Sequence, residues 1–186
     1  MRAESSSGGF TLLEILVVLI VVSIGLLGVA GLLMNNMKSS ANSAWRTQAA
    51  MLADEAAERL RVNNTWVVEV LNASTSVRTA SPVYQMRCTG GAATNLLTST
   101  GSCTASSGGQ QCSSAEAWRN ADLTNLCAKV GNVGLGGLPG GAMNITPQSD
   151  ASGRVFGYAI EVVWDQRTAS RTTTTPRASY VTEVRP

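Results

Sequence analysis

One stretch limits what this chain can fold into. From Ile15 to Met34 the sequence reads ILVVLIVVSIGLLGVAGLLM, with no charged residue in the run. At about 1.5 Å per residue, a helix of this length crosses the roughly 30 Å of hydrocarbon in a bilayer. A helix buried in a soluble domain usually carries a polar face, and none interrupts this run. The nearest basic residues are Arg2 before it and Lys38 and Arg46 after it, so the positive-inside rule gives no orientation.

A cleaved secretory signal is the alternative for an apolar run near a terminus. Gly28-Val29-Ala30 offers the small residues for a cut after Ala30. The run is long for the apolar core of such a signal, and Glu14 stands at its edge. An acid at the centre of a membrane helix costs about 2.5–3.5 kcal/mol, and less near the interface. A carboxylate in this place therefore points to a partner.

Composition removes several functions. The 186 residues suffice for one domain with an extra element. Charged residues make up only 14% and the net charge is +2, so no basic face for nucleic acid is indicated. The absence of histidine rules out Ser-His-Asp and Cys-His catalysis and any zinc site that needs imidazole. Nothing pairs a nucleophile with a base, so the chain is not read as an enzyme and no cofactor is expected. No CxxC pair occurs, and Asp150 and Asp165 stand alone, so neither a thiolate metal site nor a calcium loop is indicated.

The residues just before the apolar run, Gly8-Gly9-Phe10-Thr11-Leu12-Leu13-Glu14, carry a resemblance. GFTLLE leading directly into an apolar helix resembles the class III signal of type IV pilins and type II secretion pseudopilins. The resemblance implies a prepilin peptidase that cuts between Gly9 and Phe10 on the cytoplasmic side and N-methylates Phe10. Glycine at Gly9 would let the backbone enter a narrow protease site without a side-chain clash. Cleavage there keeps the apolar helix as an anchor. Glu14 becomes the fifth residue of the mature chain and would face the amino terminus of a neighbouring subunit. An opposite charge offsets the desolvation of its carboxylate.

Two further patches, SIGLLGVAGL at residues 23–32 and Leu138-Pro139-Gly140-Gly141 ahead of Tyr158–Trp164, resemble the PilV group of minor pilins. That group implies a single-pass protein of the bacterial inner membrane with a periplasmic head, which later reaches the pilus at the cell surface. Its implied role is initiation of pilus assembly, with a place at the tip. The implied partners are prepilin peptidase, other minor pilins and the major pilin, the inner-membrane assembly machinery, and membrane lipid before assembly. Where many major pilins carry proline, Gly31 stands here. Gly25, Gly28 and Gly31 each cost a helix roughly 1 kcal/mol relative to alanine. They suit local unwinding on entry into a filament, and equally close helix packing in the membrane.

The chain divides into a leader at 1–9, a transmembrane or filament-core helix at 10–34, an amphipathic continuation at 35–63, and a head at 64–186. In the continuation, Met37, Ala41, Ala44, Trp45, Leu52, Ala56 and Leu60 follow helical spacing, and Asn63-Asn64 is a stop. Thr89–Gly109 reads as an exposed loop rich in small residues. Ala115–Val130 reads as a helix, with Ser113 and Glu116 at capping-box spacing and Leu123, Leu126, Cys127 and Val130 on one edge. Strands are expected at Met143–Thr146, Arg154–Trp164 and Ser179–Arg185. Phe156, Tyr158, Ile160, Val162 and Trp164 alternate onto one face of the second. The fold class is α+β, with the long helix on a small antiparallel sheet, as the pilin resemblance also implies.

Cys88, Cys103, Cys112 and Cys127 all follow the anchor, and an even count in an exported head reads as two disulfides. Cys112 and Cys127 bracket the expected helix, roughly 22 Å apart. A disulfide needs Cα atoms within about 7 Å, which removes Cys112–Cys127 and with it Cys88–Cys103. A nested and a crossed pairing remain. The nested one, Cys88–Cys127 with Cys103–Cys112, is favoured because the loop TASSGGQQ is short and closes easily.

The mature chain is expected to begin at Phe10 with a methyl group on its nitrogen. Intact-mass analysis of the membrane-extracted protein checks this, and a terminus at Gly31 would instead report ordinary signal-peptide cleavage.

Overall fold

The computed structural model describes residues 11–63, 65–72, 75–98, 101–106, 109–167 and 176–185. Gly9 and Phe10 lie outside these residues. The chain divides into two compact units, Met1–Ala41 and Asn42–Pro186.

Helix α1 runs over Leu12–Asn63 and contributes to both units. Within the first unit its side chains are almost all exposed around the whole circumference, for example Val22 at 50% and Leu27 at 73%. An 18-residue window reaches a mean hydropathy of 3.0 with none of it buried. By length and composition the helix can cross a membrane.

The second unit begins with the last turns of α1, where the sequence changes character. Ala49, Leu52, Ala53, Ala56, Ala57 and Leu60 recur every three or four residues, and all are at most 5% exposed. Leu52, Ala56 and Leu60 stand in this stripe as expected, and the earlier expected positions are less covered. Met37 is 72% exposed and Ala44 is exposed, whereas Ala49, Ala53 and Ala57 carry the contact. Alanine is a good helix former, so these positions favour the helix as well as the core.

After α1 come a two-stranded ribbon, β1 (Thr65–Asn72) and β2 (Thr75–Ser81), then β3 (Met86–Thr89) and β4 (Ala92–Thr94). A second small hairpin follows, β5 (Cys103–Ser106) and β6 (Gly109–Cys112), and then α2 (Ala115–Val130). The chain ends in β7 (Ala142–Ser149), β8 (Val155–Asp165) and β9 (Arg177–Val184). The main sheet is antiparallel, in the order β4-β3-β7-β8-β9. Its inner face meets the alanine stripe of α1 and the apolar edge of α2, and Leu123, Leu126, Ile145, Tyr158, Ile160 and Trp164 are each at most 1% exposed in one core.

Several expectations need correction. Thr89–Gly109 is not one open loop, since it contains β4 and much of the β5–β6 hairpin. Gly90 and Gly91 form the turn between β3 and β4. The cap of α2 is Ser114, whose hydroxyl accepts from the Ala117 N–H at 3.1 Å. Ser113 bonds to Ser102 instead, so Glu116 falls one position early for a capping box. Phe156 does not share a face with Tyr158. The pairing passes from Gln148↔Gly157 to Ser149↔Val155, so Phe156 is the extra residue of a bulge. It turns outward at 40% exposure against the Arg185 guanidinium, and Val155 takes the inward place.

The turn at Leu138–Gly141 explains its own glycines. The Leu138 N–H reaches back to the Val130 carbonyl at 3.0 Å, which buries Leu138 under the end of α2. A Cβ on Gly141 would lie 2.2 Å from that carbonyl oxygen. At Gly140, φ is +58° and a Cβ would meet the Asp165 carboxylate at 2.0 Å.

The disulfides are Cys88–Cys127 and Cys103–Cys112, a nested arrangement. The first ties β3 to the last turn of α2, with both cysteines at 0% exposure. The second joins the directly paired first and last residues of the β5–β6 hairpin, and both are half-buried. A small thiol reductant without denaturant is therefore expected to open Cys103–Cys112 well before Cys88–Cys127. Time-resolved alkylation with peptide mapping checks this order. Replacing Cys88 and Cys127 together with serine is expected to cost about 2–4 kcal/mol in denaturant unfolding.

Candidate functional site

The first turns of α1 hold the residues that the sequence singles out for assembly. The Glu14 N–H bonds to the Thr11 carbonyl at 3.1 Å and the Thr11 hydroxyl at 3.3 Å, so Thr11 serves this helix start as a cap. Glu14 lies in the first turn, where its negative charge complements the positive end of the helix dipole. Farther along, the Ser23 hydroxyl donates to the Leu19 carbonyl at 2.6 Å, which satisfies a polar group within an apolar stretch. A Cβ on Gly25, Gly28 or Gly31 would meet nothing within 4 Å. Among the described residues these glycines answer no contact. Chemically, this segment offers one carboxylate, a continuous apolar surface and a helix side without side chains. It has no nucleophile–base pair.

In the second unit, charges organise the packing of α2 on α1. The Arg59 guanidinium donates to Glu55 Oε1 at 2.9 Å and to Asp122 Oδ1 at 3.2 Å, while the Lys129 ammonium takes the other Glu55 oxygen. Burial pushes the Glu55 carboxyl upward, but the hydrogen bonds and charges of Lys129 and Arg59 outweigh this and hold it below its ordinary value. Asp122 goes the other way, because burial raises its carboxyl and Arg59 offsets only part of the effect. A second tie lies near the start of this unit. Asn42 accepts the Arg167 N–H and donates to the Arg167 carbonyl, both at 3.2 Å, and the Arg167 guanidinium lies 5.3 Å from the centre of the Trp45 ring.

Sequence reading missed Arg119. It is 3% exposed, and its guanidinium donates to the carbonyls of Val83, Leu97 and Thr98 and to the Asn120 side chain. Burial lowers its pKa, and these four acceptors meet its hydrogen-bonding needs without a carboxylate bond. It pins the segment after β4 to the start of α2. An arginine between Trp118 and Asn120 gives no sequence signal for such a place. Asp150 and Asp165 have local structural roles. Asp150 accepts from the Ser152 and Arg154 backbone N–H groups of its own turn, and Asp165 pairs with Arg177 at 3.3 Å.

Residues 5–30 match the family model for the prokaryotic N-terminal methylation motif, and the match spans Gly9, Phe10 and Glu14. No curated protein and no solved structure matches the chain. The motif supports a type IV pilin or pseudopilin in general. It implies processing by prepilin peptidase, assembly with pilus machinery and anchoring in a membrane. The α+β architecture, with a long N-terminal helix and an antiparallel sheet, is a type IV pilin-like arrangement. The motif suggests a structural protein.

The Glu55 shift sets a pH dependence. Because its folded pKa is lowered, its stabilisation is complete above the unfolded value of 4.5 and is lost as pH falls through the lowered folded value. At neutral pH, Glu55→Gln is expected to destabilise the head by at most about 1 kcal/mol, given partial solvent screening. Melting curves of wild type and variant from pH 7 down to pH 3 check this: the gap should close toward the acid end. A gap that stays constant would assign the loss to packing.

Proposed function

We propose that this protein is a minor pilin of a type IV pilus, close to the PilV group, which contributes to the initiation of assembly and sits at the pilus tip. The observation that carries this reading is the methylation motif running directly into a helix whose apolar surface is exposed among the described residues. Such a surface suits lipid first and the helices of neighbouring subunits afterwards. On this reading prepilin peptidase removes residues 1–9 and methylates Phe10. Residues 10–34 then form the membrane anchor and later the filament core, residues 35–63 continue the helix, and residues 64–186 form the periplasmic head. Glu14 meets the amino terminus of the adjacent subunit. The other partners are the remaining minor pilins, the major pilin and the inner-membrane assembly machinery. The PilV resemblance rests on the sequence patches at residues 23–32 and Leu138-Pro139-Gly140-Gly141.

The same motif also suits a pseudopilin of type II secretion. Deleting the gene and separately counting surface pili and assaying secreted enzymes distinguishes the two. Loss of pili supports the minor-pilin reading, and loss of secretion alone supports the pseudopilin. A head that acts as an adhesive module would instead leave pili in place and reduce attachment.

Replacing Glu14 with glutamine is expected to leave cleavage at Gly9 largely intact, because the cut depends on the glycine. Incorporation into sheared pili should fall about tenfold or more, as expected when a charge-assisted contact worth about 1.5–3 kcal/mol is lost. Quantitative immunoblotting of sheared filaments checks this. Incorporation equal to wild type would deny the carboxylate an assembly role.

A further inference from the structure

Where the end of α1 meets the start of α2, the head has a groove of about 510 Å³. Its apolar wall is formed by Trp118, 36% exposed, and Val62, 85% exposed. Its polar wall contains Glu55, Glu58, Arg59 and Asp122, three carboxylates against one guanidinium. A large aromatic ring beside an open apolar pocket is uncommon on a surface with no role in binding.

The hydrogen bonds show what the groove lacks. Both Glu55 oxygens are occupied, one by Arg59 and one by Lys129. Arg59 reaches only Oδ1 of Asp122, and Arg61 reaches only Oε1 of Glu58. Asn63 uses its amide N–H groups on the Tyr84 hydroxyl and the Ala115 carbonyl. Among the described residues, no donor reaches Asp122 Oδ2, Glu58 Oε2 or Asn63 Oδ1. The groove therefore offers carboxylate and amide acceptors next to an indole face. An anion would be repelled by the acidic lining, and a purely apolar group would strand the acceptors. A guanidinium fits both walls, because it stacks on an indole and donates through several N–H groups in one plane.

We propose that this groove receives an arginine side chain from a different subunit of the filament, which stacks on Trp118 and donates to Asp122 and Glu58. This rests on the pilin reading above and adds to it a contact between heads, separate from the contact made by Glu14. The arginine supplies the missing donors, and Trp118 excludes water from the pair.

The test places a photo-crosslinking amino acid at Val62 of the full chain in cells, followed by sequencing of the crosslinked peptides. Val62 is largely exposed, so the change leaves the core intact. The expected product joins Val62 to a pilin-type subunit other than this one, within a few residues of an arginine. Glu58→Lys should reduce its yield about tenfold, the order expected when a charge-assisted hydrogen bond gives way to repulsion. Glu58 pairs only with Arg61 at the surface, so this variant is expected to fold, and a melting curve confirms that it does. As a control, Glu183→Lys on β9 should leave the yield unchanged. A crosslink to a second copy of this chain, to lipid or to a peptide without a basic residue overturns the proposal. So does the absence of any crosslink, or a yield that Glu58→Lys does not alter. Processing at Phe10 and the Glu14 dependence of incorporation are read in the same cells. If both are normal while the crosslink fails, the groove assignment alone falls. If both fail, the pilin reading falls with it.

Discussion

Water is a poor solvent for the first part of α1, and the rest of the molecule is arranged around that fact. From Leu12 to Met34 the helix presents apolar side chains on every side, and the chain itself covers almost none of them. At about 25 cal/mol per Å² of apolar surface, leaving such a segment in water is strongly unfavourable. Lipid or other helices must cover it. A protein that moves from membrane to filament needs a surface acceptable to both, and a wholly apolar helix with a few glycines meets that need. The single carboxylate at its start, Glu14, complements the positive end of the helix dipole.

The head must therefore form its own core. It uses the last turns of α1, where alanines replace many of the long aliphatic residues of the first part and share one core with the sheet. A small core with few aromatics gains little from burial alone. The structure adds covalent and polar ties: the buried Cys88–Cys127 bridge, the Arg119 guanidinium on three backbone carbonyls, and the glycine turn that folds Leu138 under α2. Each tie joins segments far apart in sequence.

The charges between α1 and α2 have two roles. Glu55 is saturated by Arg59 and Lys129 and acts as an internal fastener. Among the described residues, Asp122 and Glu58 are each bonded through one oxygen only, beside an exposed indole. A fully paired network has no remaining capacity for a partner, whereas a partly paired one has. The same helix pair thus holds the head together and leaves acceptors at its surface.

The anchor, α2 and the fold class could be read from the sequence because each rests on local order. An uncharged run, a helical repeat and an alternating strand are properties of neighbouring residues. The nested disulfides could also be reasoned toward, since a helix between two cysteines holds them apart. Other features depended on contacts between distant segments, and only the tertiary structure decided them. Phe156 turns outward because β8 gains one residue against β7, a register choice made between two strands. Ser114 rather than Ser113 caps α2 because Ser102, from the preceding segment, holds Ser113. On α1 the buried stripe takes in Ala49, Ala53 and Ala57 beside the expected Leu52, Ala56 and Leu60, because these positions face the core of the second unit, whereas Met37 and Ala44 are exposed. Arg119 looks like any surface arginine until three carbonyls from elsewhere in the chain converge on it.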